Sequence, residues 1–452
     1  MAKGNFVQDF TQGNVTKQLL KFALPLYMSN ILQIVYNMVD MIIVGQTLGS
    51  VGLSAVSIGG DVANFLMFVS MGFSSAGQVI ISQLLGARQP NKLGRFIGNM
   101  CSLLLILSIA FSMICLTLRV PILNLMNTPT ESFDEALAYA TVTVSGLIFI
   151  YGYNTMSAIM RGLGDSKHPF IFISISATLN IILDVVFVII LNFGAKGAAL
   201  ATVIAQAVSF ISCAIFLYNR REQLGFNLSG NDFIIPDKDL LGRLIKLGLP
   251  MAIKSASIHF SKLFVNSWIN SYGVAVSAFA GIANKINSVA NLMSNSLNTA
   301  GASMVGQNIG AQKYERVTKI ITVIFKVSFS IAAILSFVMM TFPEQIYKAF
   351  TDDIEVLNVG MEYLPIAVLI FFGSASRSPS NALINGCGNY LANFMTALFD
   401  GIILRIGFSI LFGLYFDMKY LGFWLGDALA GFTPLVIGIV LYISGRWKTK
   451  IN

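Results

Sequence analysis

The sequence is poor in charged residues and in cysteine. Only 11% of its 452 residues are Asp, Glu, Lys or Arg, whereas soluble domains contain about 25%. Hydrophobic residues make up 55%, and the mean hydropathy is +0.74. This composition excludes an ordinary soluble domain and is typical of a protein that crosses the membrane many times. The four cysteines form no CxxC pair, so we expect neither a disulfide nor a cysteine-bound metal.

Patterns typical of enzymes are missing as well. No nucleophile–base pair is apparent, and GLGDS (162–166) lacks the lysine and the spacing of a phosphate-binding loop. An intramembrane prenyl-group transferase, which is the alternative from another functional class, would need paired Asp-rich motifs, and the sequence has none. We therefore predict a protein that is not an enzyme and needs no cofactor.

The net charge of +8 does not indicate nucleic-acid binding, because the basic residues lie in short loops between apolar runs. We expect no cleavable signal peptide, since 1–16 is polar and the first apolar run has no small-residue cleavage site. The apolar runs are continuous and each is long enough to cross a bilayer as a helix, which takes about 20 residues. Twelve spans are predicted: 17–44, 52–84, 96–118, 134–160, 169–192, 197–219, 243–270, 276–308, 317–342, 357–385, 391–415 and 420–445.

Basic residues are distributed unequally between the two sets of loops. One set, together with both termini, carries nineteen Lys or Arg, and the other carries only Arg119, Lys196, Lys348 and Lys419. The positive-inside rule then places both termini in the cytoplasm. The nineteen are Lys3, Lys17, Lys21, Arg88, Lys92, Arg95, Arg161, Lys167, Arg220, Arg221, Lys238, Arg243, Lys246, Lys313, Arg316, Lys319, Arg446, Lys448 and Lys450.

The chain contains an internal repeat. KQLLKFALP (17–25) parallels GRLIKLGLP (242–250), QLLGA (83–87) recurs as QNIGA (307–311), and GLGD (162–165) recurs as GCGN (386–389). The three matches keep one order and nearly one offset, which indicates duplication. Six spans per repeat is an even number, so the repeats share one orientation in the membrane. We predict an all-α integral membrane protein with two parallel-repeat six-helix lobes around a central cleft: an N-terminal lobe 1–225, a linker 226–242 and a C-terminal lobe 243–452.

Four short motifs carry a resemblance to a known family. VGQTLG (44–49) with LSAVS (53–57), SQLLGA (82–87), RGLGD (161–165) and KGAA (196–199) resemble helix-end motifs of the multidrug and toxin extrusion (MATE) family, in the family's order. The resemblance covers nearly the whole chain. It implies an exporter driven by H⁺ or Na⁺ antiport that alternates between outward-facing and inward-facing states.

The resemblance is closest to the DinF-type branch and implies a coupling-ion site in the N-terminal lobe. The matching positions in this sequence are Asp40, Asn154, Asn180, Asp184 and Thr202. In that branch the first span bends when the coupling acid changes protonation. The resemblance therefore implies an accessory role for Pro25, for which a static kink is the alternative.

The residue types also support an ion site. An acid within an apolar span, such as Asp40, costs about 2.5–3.5 kcal/mol on insertion scales and usually serves a function. Asn180 and Asp184 are four residues apart and share a helix face, as do Tyr36 and Asp40. Carboxylate and amide oxygens from Asp40, Asp184 and Asn180 suit Na⁺, and two close carboxylates can instead share a proton. The alternative is a buried polar cluster that only holds helices together.

The C-terminal lobe departs from the family pattern, because its spans carry bases where the NorM-type branch has acids. These cations outnumber Asp400 and Asp427, and hydrocarbon does not tolerate unpaired charges. One interpretation is a site for an anionic or zwitterionic substrate. The alternative is that Lys254, Lys262 and Arg405 reach an interface while Arg377 pairs with Asp400 or Asp427. The candidate substrate contacts are Lys262, His259, Lys285, Arg377 and Arg405.

We therefore expect an efflux antiporter of MATE type for amphipathic small organic molecules. We place it in the plasma (inner) membrane of a prokaryote, and we expect a monomer. A flippase for lipids or lipid-linked precursors from the same superfamily is the nearest alternative, although such flippases often have fourteen spans.

Overall fold

The computed structural model describes residues 8–224 and 226–448 and contains only helices and their connections there. Lys3 and Lys450 of the charge count lie outside the described residues. We number the long helical segments α1 to α12: 15–48, 50–86, Pro90–Leu125, Thr130–Ser145 with Leu147–Gly162, Lys167–Ile190, Gly194–Arg220, Lys238–Asn270, Val274–Gly310, Tyr314–Thr341, Ile354–Gly386, Tyr390–Tyr415 and Lys419–Ile443.

Most of these segments are individually long and apolar enough to cross a membrane. Among the described residues eight helices meet that test, or nine when the bent pair in α4 counts as one span. One of them, Val15–Gly86, consists of two segments that meet at Gly49, where φ is +64°. The remaining two, α7 and α8, are 33 and 37 residues long but more polar. Each predicted span coincides with one of the twelve segments, with ends that differ by at most seven residues, so the all-α fold is confirmed.

Glycine ends α4 and α10 in the same way. Gly164 and Gly388 lie just after these helices with φ of +88° and +69°, a backbone conformation that only glycine adopts readily. Their amides bond to the carbonyls of Arg161 and Asn385 and close the last turn. The repeated motifs GLGD and GCGN are therefore helix stops.

Two compact units form, each with its own core. Unit 1 contains Leu24–Leu85 and Gln89–Gly248, and unit 2 contains Phe10–Ala23, Gly86–Arg88 and the described residues from Leu249 onward. The boundaries within α1 and α7 fall one residue before Pro25 and Pro250, so the first turns of each helix belong to the other unit. The predicted lobe limits 1–225 and 243–452 with linker 226–242 stay a prediction.

In unit 1 the segment after α6 packs back onto α3. The Asn99 side chain donates to the carbonyls of Asp232 and Ile235 and accepts from the amide of Asp237, at 2.7–3.2 Å. Gly98 lies beneath this segment, and a Cβ there would come within 2.6 Å of the Asp232 carbonyl oxygen. Part of the predicted linker is therefore fixed to a helix.

Unit 2 has an aromatic core. Phe279 packs edge-to-face against Tyr347, Tyr363 and Trp424, with ring centroids 5.1–5.9 Å apart. Such aromatic pairs add about 0.5–1.5 kcal/mol beyond the area they bury. These contacts join α8, α10 and α12 around the polar cavity described below.

Candidate functional site

A carboxylate cluster lies inside unit 1. It consists of Asp40 on α1, Asn180 and Asp184 on α5, and Thr202 on α6. Asp40 is 8% exposed, Asn180 2% and Asp184 0%. Asn180 Nδ2 donates to Thr202 Oγ1 at 3.5 Å. The i,i+4 spacing on α5 places the amide and the carboxylate of this helix on the same face, as the sequence indicated.

Four oxygens of this cluster have no hydrogen-bond donor among the described residues. Asp40 Oδ1, Asn180 Oδ1 and both carboxylate oxygens of Asp184 are buried and accept no hydrogen bond from any described residue. A buried acceptor without a partner is costly, and for a charged group the cost is larger. A proton or a hard cation such as Na⁺ would satisfy these oxygens. The residues present therefore fit either ion.

Two tyrosines complete the surroundings of the carboxylates. Tyr36 lies one turn before Asp40 on α1 and interacts electrostatically with it. Tyr139 on α4 interacts with both Asp40 and Asp184 and is 7% exposed. Sequence reasoning missed Tyr139, because a single sequence does not distinguish it from the other aromatic residues of the spans.

Asn154 lies on α4 and binds a different partner. Its Nδ2 donates to Ser70 Oγ on α2 at 3.3 Å, and it forms no hydrogen bond with the carboxylate cluster. Pro25 lies inside α1, where Ser29 Oγ donates to the Pro25 carbonyl at 2.8 Å. The structure therefore brings together four of the five predicted coupling residues through a hydrogen bond or an electrostatic interaction: Asp40, Asn180, Asp184 and Thr202. The fifth, Asn154, pairs with Ser70 instead.

A second polar site lies inside unit 2. A cavity of about 240 Å³ is lined by Lys262, Arg377, Arg405 and Asp427, together with the neutral side chains Asn266, Asn287 and Asn291. We call it the cationic cavity. His259 and Lys285 are exposed and do not line it.

Two of the cavity's cations are held by ion pairs. Asp400 Oδ1 accepts from Arg377 and from Arg405, each at 2.7 Å, and Arg405 also pairs with Asp427. Arg405 is 1% exposed, so the idea that it reaches an interface is wrong. Pairing in low dielectric is far more favourable than separate burial of these charges. The alternative interpretation of Arg377, pairing with Asp400, is confirmed.

Lys254 and Lys262 differ in their partners. Lys254 Nζ donates to Asn381 Oδ1 at 2.7 Å, so Lys254 is held within unit 2 rather than extended to an interface. Lys262 lines the cationic cavity and makes no hydrogen bond or ion pair with any described residue. The cavity has three cations, Lys262, Arg377 and Arg405, and two carboxylates, Asp400 and Asp427, balance two of them. One positive charge is therefore in excess, and we assign it to Lys262.

Comparison with known proteins agrees with the internal repeat of the chain. The family model described as MatE matches twice, at residues 25–186 and 250–411. These ranges begin at Pro25 and Pro250, at the offset of the internal repeat. A curated relative, the probable multidrug resistance protein YpnP of Bacillus subtilis, is 27% identical over 97% of both chains.

Solved structures share the fold. An outward-facing multidrug resistance MATE family transporter of the MOP superfamily superposes with a TM-score of 0.90 at 23% identity, over 99% of this chain and 100% of that one. A MOP superfamily transporter from Pyrococcus furiosus, described as having a binding pocket of reverse polarity that suggests a different function, gives 0.88 at 23% identity, over 99% and 98%.

Proposed function

Since this chain belongs to the MatE family, whose members are transporters, we propose that it is an ion-coupled multidrug efflux antiporter. It would export amphipathic small organic molecules by alternating access, with H⁺ or Na⁺ moving the opposite way. The observation that carries the proposal is the set of buried oxygens on Asp40, Asn180 and Asp184 that accept no hydrogen bond from the described part of the chain. An antiporter needs a buried site that alternately holds and releases a cation, and these oxygens provide one.

The carboxylate cluster would be the coupling site. The ion would satisfy Asp184, Asn180 Oδ1 and Asp40 in one state and leave when water reaches them in the other. Thr202 Oγ1 orients the Asn180 amide so that its oxygen faces the ion. Asn154 and Tyr36 would support the surrounding helices, and Pro25 would allow α1 to bend because proline removes a backbone hydrogen bond.

Asp40→Asn is the first test. We expect the variant to insert and fold, because the amide retains the size of the carboxyl group, but to lose gradient-driven export. The measurement uses proteoliposomes with a proton gradient or a sodium gradient imposed separately, and fluorescent cationic and anionic substrates. Asp352→Asn, in an exposed loop, is the matched control. Wild-type export by a correctly inserted Asp40→Asn protein would exclude the coupling role.

We propose that unit 2 takes an anionic or zwitterionic group of the substrate. Lys262 supports this assignment, because it is the cation of the cationic cavity that forms no close ion pair with a carboxylate of the described residues. Arg377 and Arg405 are already occupied by Asp400 and Asp427, so they would shape the site more than bind substrate directly. The reverse polarity described for the pocket of the Pyrococcus furiosus relative is compatible with such a preference.

Lys262→Gln tests the substrate class. A hydrogen bond to a charged group contributes about 1.5–3 kcal/mol, so anionic dye binding should weaken about 10- to 100-fold, while cationic dye binding should not weaken. Lys285→Gln, which removes an exposed lysine outside the cavity, should leave both unchanged. Equal effects of the two variants would refute the assignment.

We also propose a cellular membrane, a topology and an oligomeric state for the protein. The chain is a multi-pass membrane protein, and the loop charges support cytoplasmic termini in the plasma membrane of a prokaryote. We propose that it functions as a monomer. A lipid flippase becomes the better assignment if neither dye moves under either gradient.

A further inference from the structure

Helices of the two units are interrupted at equivalent positions, which are 225 residues apart. The same offset separates Pro25 from Pro250. In α5 the residues Val185–Ile190 form a π-helical turn, which we call a wide turn. It ends with the Leu191 amide bonded to the Val186 carbonyl, and the Phe193 amide bonds to the Phe187 carbonyl. In α11 the turn Leu411–Tyr415 ends with the same two bonds at that offset, Phe416 to Leu411 and Met418 to Phe412. Positive φ values at Asn192 and Gly194 recur likewise at Asp417 and Lys419.

An extra residue in α11 explains why the offset changes along the repeat. From the motifs QLLGA (83–87) and QNIGA (307–311) up to this helix the offset is smaller by one, as for Gly164 and Gly388. The hydrogen bond between Asn154 and Ser70 recurs at this smaller offset, between Ser378 and Ser294. The wide turn Phe399–Ile403 adds one residue to α11. Such turns are frequent at functional sites, and this one contains Asp400.

The offset of 225 residues identifies the residues of unit 2 that correspond to those of the carboxylate cluster. Asn180 corresponds to Arg405 and Thr202 to Asp427, so the amide–hydroxyl contact of unit 1 is replaced by a buried ion pair. The two coupling acids have neutral counterparts. Asp184 corresponds to Ser409, which donates to the Phe423 carbonyl at 3.1 Å. The offset falls by one between Pro25 and Gly49, so Asp40 corresponds to Phe264 or Val265, which are both apolar.

We propose that unit 2 contains a second copy of the ion site, in which the guanidinium of Arg405 permanently takes the place of the exchangeable cation. Asp400 and Asp427 neutralise this tethered cation, so no transported ion is needed there. The chain then exchanges its coupling ion only at the carboxylate cluster of unit 1. The inference rests on the coupling role proposed above.

The contacts of Arg405 support permanent occupancy. Its guanidinium donates to Asp400 Oδ1 and to Asp427, and its Nε donates to the Asp400 carbonyl at 3.2 Å. A guanidinium does not lose its proton in proteins and cannot leave the chain. A cation bound by carboxylates at this position is therefore fixed, whereas the oxygens of unit 1 have no such internal donor among the described residues.

Counting ions per chain tests the proposal. The full-length protein in lipid nanodiscs is titrated with radioactive Na⁺, and proton uptake on acidification is measured separately. Arg405→Asn should bind one more ion per chain than wild type, because Asp427 loses its ion-pair partner among the described residues while Asp400 keeps only Arg377. Arg405→Lys keeps a tethered cation and should match wild type. Only variants with wild-type helical circular dichroism and a monodisperse elution profile are compared.

The wild type supplies a readout that does not depend on these variants. All of its specific ion binding should disappear in the double variant Asp40→Asn with Asp184→Asn. Ion binding that survives there and is lost in Asp400→Asn would overturn the proposal, as would an Arg405→Asn count equal to wild type. If wild type binds neither ion while Arg405→Asn gains one, the coupling role of unit 1 fails and the tethered cation stands.

Discussion

Asp400 is the residue on which the charges of unit 2 converge. It is 1% exposed and accepts from two guanidinium groups through one oxygen, whereas Asp427 is 22% exposed and pairs with Arg405 alone. Removing one member of a buried ion pair leaves an uncompensated charge, which destabilises by about 3–5 kcal/mol. Asp400 is therefore a structural acid even though it lies beside the cationic cavity.

Replacement of Asp400 and replacement of Asp427 should destabilise the protein to different extents. We predict that Asp400→Asn lowers the thermal unfolding temperature of the purified protein more than Asp427→Asn does, because it leaves Arg377 without a carboxylate, whereas Arg405 keeps Asp400 when Asp427 is replaced. Thermal unfolding followed by tryptophan fluorescence in nanodiscs makes the comparison. An equal or smaller effect of Asp400→Asn would show that the Arg377 and Arg405 charges are neutralised in another way.

Sequence reasoning at this scale identified residue types better than partners. An acid or a base within an apolar span is conspicuous, so Asp40, Asp184, Arg377 and Arg405 were found from the sequence. Which base meets which acid depends on helix rotation and packing, and one sequence does not determine these. For that reason Arg405 was assigned a possible interface position, and Tyr139 was not identified beside Asp40 and Asp184.

At the scale of elements, the segment after α6 is held on α3 by a few polar contacts. Asn99 satisfies three backbone groups of 232–237, and Ser102 Oγ donates to the Phe233 carbonyl at 2.7 Å. The small residues Gly94 and Gly98 allow this close approach. A polar side chain at the end of an apolar helix therefore fixes a connection that the sequence indicated only as a polar linker.

Asn99→Ala should release this connection. We expect amide hydrogens of residues 226–237 to exchange faster with deuterium, because three backbone groups lose their partner while α3 itself stays helical. Ser112→Ala, which removes one hydrogen bond from α3 to the Val144 carbonyl, is the control and should not change exchange in 226–237. Unchanged exchange in Asn99→Ala would mean that apolar packing alone holds the segment.

The ends of the twelve segments were largely readable from the sequence. An apolar run of membrane-spanning length forms a helix because backbone groups in hydrocarbon have no other hydrogen-bond partners. Glycine at 49, 164 and 388 marks the breaks. The wide turns of α5 and α11 were not foreseen, because a one-residue insertion leaves no signal in an apolar run.

At the scale of the whole molecule, the distribution of basic residues predicts the orientation in the membrane. Asn91, at the start of α3, and Glu131, at the start of α4, are both exposed and fall on opposite predicted sides. Among the native cysteines, Cys115, Cys213 and Cys387 are buried and Cys101 is partly so, so introduced thiols stand out in a labelling experiment.

A membrane-impermeant maleimide should label Glu131→Cys on intact cells and Asn91→Cys only after the membrane is permeabilised. The reason is the excess of Lys and Arg on the side of Asn91, which is retained in the cytoplasm. The reverse pattern would invert the proposed topology, and labelling of both on intact cells would argue against an intervening span.

The sequence alone determined the helical class, the twelve spans, the duplication and the acids and bases within the spans. Each of these depends on local composition or on internal similarity, and both can be read along one chain. The tertiary structure decided which polar groups meet. In unit 1 it forms a carboxylate cluster with four oxygens that no described residue donates to, and at the corresponding positions of unit 2 it places a guanidinium already held by two carboxylates. The reason is that the partner of a buried charge is set by the rotation and packing of helices far apart in sequence.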